Sequence, residues 1–385
     1  MMKHYLAGLL LTAAAAARAQ APLPFTLQGT VGQVGAPAKV YLVREVPLSV
    51  QSPMMSAALT DSAAVVNGAF VLRGTTKAPG RATLYLQRNG RRPASLNGPA
   101  DRTTLFLGPE TVVLTSSDSL RRAVSRSRLQ TEYQELRARL QPIEERQSAA
   151  DAAFARASEA ERNSAAFQAR NQAAWEQLMR EKRATVAAFC RAHPSSWVSL
   201  YACRELFPVP SHAELTAAYA PLSPALKASK EGQQYEALRR GLQAVAVGAQ
   251  APGFSLPTPA GQQVSLSDYR GKYVLVEFWA SWCGPCRAET PNLINAYRQY
   301  RGRQFEVLGV SLDGEGGRAK WLKAIEDDGA PWTQVSDLRG FDSPAATRYA
   351  ITAIPQNFLL DPTGNIVAVN LRGAEVQATL ARVLK

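Results

Sequence analysis

The chain has 385 residues, 46% of them hydrophobic, enough to bury a real core and long enough for two or three domains. Lys and Arg outnumber Asp and Glu by 44 to 31, a formal +13 that favours acidic partners or a negative surface. The Arg residues are nevertheless scattered among Glu on helical stretches, and no basic run interleaves with aromatics, which excludes a nucleic-acid-binding reading.

The first residues speak to compartment. Met1 to Tyr5 is a short positive start, Leu6 to Ala17 is apolar, and Ala17-Arg18-Ala19 fits a small-x-small cleavage site. Residues 1–19 are therefore expected to be a signal peptide. The apolar run is too short to span a bilayer, no Cys follows it for lipid attachment, and no other stretch is long enough. The expectation is an exported protein of the periplasm or cell envelope, without a transmembrane helix in the mature chain.

Residues 22–117 carry short β-type runs separated by Gly, Pro and Asn, such as Lys39 to Arg44, Ala69 to Arg73 and Ala82 to Gln87, with Asn67-Gly68 as a tight-turn signal. An antiparallel β-domain is expected there. Residues 118–243 change character to Ala, Arg, Glu and Gln at helical spacing, punctuated by Pro142 and by His193-Pro194, and predict a helical spacer domain. Cys190 and Cys203 lie in it. They stand about one helical turn out of step around Pro194, so a disulfide and a pair of buried free thiols both remain open. A zinc site with His193 and His212 would have irregular spacing.

From residue 245 onward the texture is α/β. Lys272 to Phe278 and Phe305 to Val310 read as buried strands, Gly317 to Asp328 as a helix, and Ser343 to Ala350 as another short one. Pro362-Thr363-Gly364 marks a hairpin, and Ala374 to Leu384 a closing helix. Strands alternating with helices, then a hairpin, predict a mixed sheet.

Cys283 and Cys286 lie where the first of these strands should hand over to a helix. A thiolate at a helix N-terminus meets unpaired N–H groups and partial positive charge, which lowers its pKa and makes it the better nucleophile. Cys286, almost one turn on, can close a disulfide or resolve a mixed one. Gly284-Pro285 suits a tight first turn. Metal ligation would need two further ligands, and the three His residues, His4, His193 and His212, are far upstream. No metal and no cofactor is expected. Pro291 should kink the helix and leave the first turn projecting with its thiol exposed. Trp279 and Trp282 are expected to form an apolar rim, although one of them could be simple core. Glu277 stands on an apolar strand, where an ionisable group is costly unless it has a task, although alternation could turn it to solvent.

Phe278-Trp-Ala-Ser-Trp-Cys-Gly-Pro-Cys286 resembles the active-site stretch of thioredoxins. The wider pattern, Val247 to Phe254, Val264 to Lys272, Trp332 to Gly340 and Ile354 to Gly364, resembles the exported ResA/TlpA-like thiol–disulfide oxidoreductases. The resemblance covers residues 245–385 and implies a thioredoxin fold. The β-domain is also similar to a small module, of function not established, that precedes such domains in exported bacterial proteins. By position, Pro355 matches the cis-proline facing the Cys pair, which would offer the backbone of Ile354 to a substrate strand. Many relatives have Thr or Ser where this chain has Gln356. Glu289 matches an acid placed near the thiols in ResA-like proteins, and Glu277 the buried acid below the thioredoxin pair.

These readings converge on a reductant of envelope disulfides, apocytochrome c among the substrates the resemblance implies. Cys283 would attack and Cys286 resolve. Glu289 and Glu277 would handle protons, and Trp282, Gly284, Pro285, Ile354 and Pro355 would receive substrate. A membrane thiol donor would recharge it. Two rivals stay open: a peroxiredoxin-like peroxidase, whose Cys sits in a Thr-x-x-Cys context where this chain has Ala280, and an envelope binding protein keeping a dispensable thioredoxin domain.

Overall fold

The computed structural model describes residues 22–47, 55–93 and 100–384, so the expected signal peptide lies outside it. Alternation shapes the N-terminal part. In β1 (Leu23–Val31), Phe25, Leu27 and Val31 are buried while Gln28 and Thr30 are exposed, as on a strand with one wet face. With β2 (Lys39–Pro47), β3 (Met55–Ala64), β4 (Ala69–Thr76), β5 (Gly80–Gln87), β6 (Asp101–Leu107), β7 (Thr111–Ser116) and β8 (Val124–Arg126) it forms two four-stranded sheets. These run β4-β1-β7-β8 and β3-β2-β5-β6, and their inner faces share a core that includes Leu27, Leu42, Leu84, Leu105 and Leu114. The β1–β7 ladder is parallel and the others are antiparallel.

β6 is an edge strand, and the helices protect it. Leu105 and Leu107 face the sandwich, while Phe106 points the other way, 5.5 Å from Tyr133 and 5.4 Å from Tyr201 between ring centroids. The Phe106 N–H donates to the buried Gln130 side chain at 2.7 Å, which occupies an edge that would otherwise pair with another chain.

The helical layer begins with a hairpin of α1 (Arg128–Arg156), the short α2 (Glu159–Asn163) and α3 (Ala165–Ala192). Its antiparallel register shows in the Phe154–Phe167 rings, the Arg146–Glu181 pair and the Glu135–His193 pair. Pro142, read from sequence as a boundary, lies inside α1. Leu140 and Ile143 are buried on either side of it, and that packing holds the helix through the lost backbone bond. The layer is completed by α4 (Trp197–Ala202), α5 (His212–Tyr219), α6 (Pro224–Ala228) and α7 (Lys230–Ala244) around Phe189, Leu206, Leu215, Tyr235 and Leu238. Cys190 and Cys203 are fully buried free thiols sharing the Ser199 carbonyl, at 3.4 and 3.6 Å. His193 turns instead to Glu135, and His212 to Thr216 and Arg239.

The remainder is a thioredoxin fold entered through a small hairpin of β9 (Ser255–Pro257) and β10 (Gln263–Ser265). Then follow β11 (Tyr273–Trp279), α8 (Gly284–Tyr300), β12 (Phe305–Ser311), α9 (Arg318–Asp328), β13 (Thr333–Val335) and α10 (Pro344–Arg348). The sequence closes with β14 (Gln356–Leu360), β15 (Ile366–Val369) and α11 (Ala374–Val383). The sheet order is β13-β12-β11-β14-β15, parallel among the first three and antiparallel across β11–β14 and β14–β15. Val274, Val276 and Phe278 of β11 enter one core with Tyr349 and Phe358, while Leu275 enters another with Leu293 and Leu380. A strand covered on both faces has to be almost wholly apolar, and this one is. The helical layer reaches this fold as well: Ala350 belongs to the helical core, and the Thr352 hydroxyl donates to the Pro208 carbonyl at 2.6 Å.

Because Phe106 joins the sandwich to the helices, Phe106→Ala is expected to lower stability by about 3–5 kcal/mol. Urea denaturation followed by far-UV circular dichroism reads this, and a loss below about 1 kcal/mol would show that the site collapses around the cavity.

Candidate active site

β11 delivers the chain to the site. Past Trp279 it leaves the sheet through Ala280 and Ser281. The Ser281 N–H and hydroxyl are both held by Asp313, at 3.0 and 2.5 Å, and Asp313 also accepts from Ser311 at 2.7 Å. Cys283 then caps α8, and the Cys286 N–H donates to its sulfur at 3.2 Å. Cys283 and Cys286 are joined as a disulfide, Cα atoms 5.3 Å apart. On reduction the Cys283 sulfur sits at the positive end of a 17-residue helix with a backbone N–H already aimed at it, an arrangement that stabilises thiolate over thiol.

Two expectations are corrected. Cys283 does not project: it is 4% exposed and Cys286 0%, because Trp279, Ala280, Trp321, Leu338 and Ile354 pack around them. Trp279 does not line the rim either. Its indole N–H donates to Gln334 at 2.9 Å in the interior, in space left by Gly309, where a Cβ would collide with the Gln334 amide. The open surface is instead Trp282, 59% exposed and 6.4 Å from the ring of Phe341, with Gly284 and Pro285 exposed beside it. The Ile354–Pro355 bond is cis, and Ile354 packs against the cluster that holds both sulfurs.

Glu277 does not reach solvent. Side chains alternate along a strand, so it shares a face with Leu275, which lies under α8, and with Trp279, which packs with the cysteines. It is 4% exposed, and burial pushes its pKa up to about 8. The charge of Arg372 pulls the other way, while Glu289 and Asp328 push upward. Glu289, on the third helical residue after Cys286, is also raised by burial. Its carboxylate accepts from the Gly373 N–H at 2.7 Å and from Asn292 at 3.3 Å, and those bonds, with Arg372, oppose the rise.

Both acids, both cysteines, Ile354 and Pro355 therefore belong to one locality, rimmed by Trp282, Gly284 and Pro285. Sequence reasoning missed Asp313, Phe341, Asn357, which stands opposite Glu277 in the β11–β14 register, and Arg372, whose guanidinium donates to the Pro355 carbonyl. Asp313, two residues past the end of a buried strand, was a usable signal. Arg372 is an ordinary residue in a loop until the fold brings it to Pro355.

Comparison with known proteins places these features in a family. Residues 247–369 match the model of the AhpC/TSA family, and residues 25–133 match a domain of unknown function, DUF4369. Thiol-disulfide oxidoreductase ResA of Bacillus subtilis is 31% identical over 137 residues, covering 35% of this chain and 73% of that protein. ResA of Geobacillus kaustophilus is 36% identical over 123 residues, covering 32% and 68%. The thioredoxin domain of a thiol–disulfide oxidoreductase from Bacteroides vulgatus is 38% identical over 36% of this chain and 99% of its own, with a TM-score of 0.34. Through the segment that carries the CxxC disulfide, the chain belongs to the ResA family of thiol–disulfide oxidoreductases.

Proposed function

We propose that this enzyme is an exported reductant of disulfides in cell-envelope proteins, apocytochrome c among them, recharged by a thiol donor in the membrane. The observation that carries this is the Cys283 sulfur at the start of α8, bonded to Cys286 and facing its N–H, with a buried carboxyl on the same side of the sheet. The Cys283 thiolate attacks a substrate disulfide, forming a mixed disulfide and releasing one substrate thiolate. Cys286 gives its proton to a carboxylate, Glu277 or Glu289, and its sulfur attacks that of Cys283. The second substrate thiolate leaves, takes a proton, and the enzyme is left oxidised. Trp282, Gly284 and Pro285 form the surface on which a substrate lands, and Ile354 and Pro355 align its strand.

In this reading residues 1–19 are removed on export, 22–117 and 118–243 form a β-unit and a helical unit that localise the enzyme or present partners, and 245–385 does the chemistry. No helix among the described residues is long and apolar enough to cross a membrane. Gly-Pro between the cysteines favours the reducing direction.

The midpoint potential of the Cys283–Cys286 couple is expected near the thioredoxin figure of about −270 mV, measured in thiol redox buffers. A value near about −120 mV would make the protein a disulfide donor instead. Cys283→Ala should abolish insulin reduction, and Cys286→Ala should trap a mixed disulfide visible by mass spectrometry. Peroxide consumption surviving without added disulfide would favour the peroxidase rival. Glu277 binds its proton more tightly folded than unfolded, so between about pH 4.5 and pH 8 stability falls as pH rises. Glu277→Gln should remove that fall, gaining a few kcal/mol above pH 8 in urea titrations. It should also slow mixed-disulfide resolution about 10²-fold.

A further inference from the structure

We infer that Arg372 is a positioning residue that ties the proton-handling carboxyls to the substrate-facing loop through one guanidinium. The inference rests on the exchange reading above. Its geometry comes from three successive residues after β15. Asn357 stands opposite Glu277 in the β11–β14 register, is buried, and grips Leu371 from both sides, donating to its carbonyl at 2.8 Å and accepting from its N–H at 2.9 Å. Arg372 follows, its guanidinium donating to the Pro355 carbonyl and, at 2.8 Å, to that of Leu371. Gly373 comes next, and its N–H holds Glu289 at 2.7 Å. One short segment thus reaches the strand opposite Glu277, the loop beside the cysteines and the second acid.

The charges acting on Glu277 are Glu289 on α8, Asp328 at the end of α9, and Arg372, while its neighbours across the sheet, Gly309 on β12 and Asn357 on β14, are uncharged. Asp328 is engaged by Arg287, at 2.6 Å. Arg372 itself feels Glu289, Glu277 and Glu375. It is the cation that favours ionised Glu277, and its hydrogen bonds go to carbonyls rather than to either carboxylate, so the two roles can be separated. A guanidinium can span two carbonyl oxygens with its planar fork, whereas a lysine ammonium keeps the charge and loses the fork.

The experiment compares wild type, R372Q and R372K in the full chain. The Glu277 carboxyl is titrated by carbon NMR on glutamate-labelled protein, assigned with E277Q. Exchange is measured on insulin, which needs the loop, and on hydroxyethyl disulfide, which does not. In R372Q the Glu277 midpoint should rise by about one pH unit, and R372K should restore it. Both variants should raise KM for insulin about threefold to tenfold, the worth of one hydrogen bond, while leaving KM for hydroxyethyl disulfide unchanged. A Glu277 midpoint unmoved in folded R372Q overturns the electrostatic half. If R372Q does not fold, R372K tests the loop half alone, and an unchanged insulin KM overturns it. A wild type inactive on both disulfides whose Glu277 midpoint still responds to R372Q would overturn the exchange reading and leave the tie to the carboxyl standing.

Discussion

Desolvation of a carboxyl on β11 sets terms for everything around the disulfide. That strand is covered on both faces, so its one charged side chain has no water to turn to. A buried acid is tolerable when it stays protonated near neutrality or when compensating charge is nearby, and the neighbourhood of Glu277 supplies both. The position of Arg372, the double grip of Asn357 on Leu371 and the backbone bond to Glu289 all lie on the side of the sheet where that cost arises. The result is a carboxyl whose pKa burial raises to about 8, on the same face of β11 as Trp279, which packs with the two cysteines.

The same apolar wall governs access. With Cys283 almost fully covered, the exposed surface beside it is that of Trp282, Gly284 and Pro285, not a protruding thiol. Low dielectric around the sulfurs raises the cost of a thiolate, and the N-terminus of α8 offsets that cost where Cys283 sits. The two cysteines are thus distinguished by backbone position: Cys283 caps α8, and Cys286 is the third residue inside it.

What could be read from sequence was what local physics determines. The Cys pair, Gly284-Pro285, the apolar run into Phe278 and the turn at Pro362 to Gly364 each act over a few residues, and the thioredoxin fold follows from their order. Where long-range packing decided, sequence reading stopped short. Pro142 looked like a helix end because packing at Leu140 and Ile143 is not visible in a string. Trp279 and Trp282 looked alike, yet Gly309 opens interior space for the partner of one and nothing covers the other. Exposure of Cys283 was misjudged because its cover comes from residues as distant as Trp321 and Ile354. Arg372 carries no local mark at all; only the return of β15 beside β14 gives it a partner.

The bond between Thr352 and the Pro208 carbonyl ties the chain ahead of the cis Ile354–Pro355 bond to the helical layer. Two residues before Ile354, the chain answers to the helical layer through that bond, and Ala350 is part of the helical core outright. The helical layer and the thioredoxin fold therefore share a seam at residues 350–352, two residues short of the cis Ile354–Pro355 bond and of the Ile354 side chain that packs against the cysteine cluster.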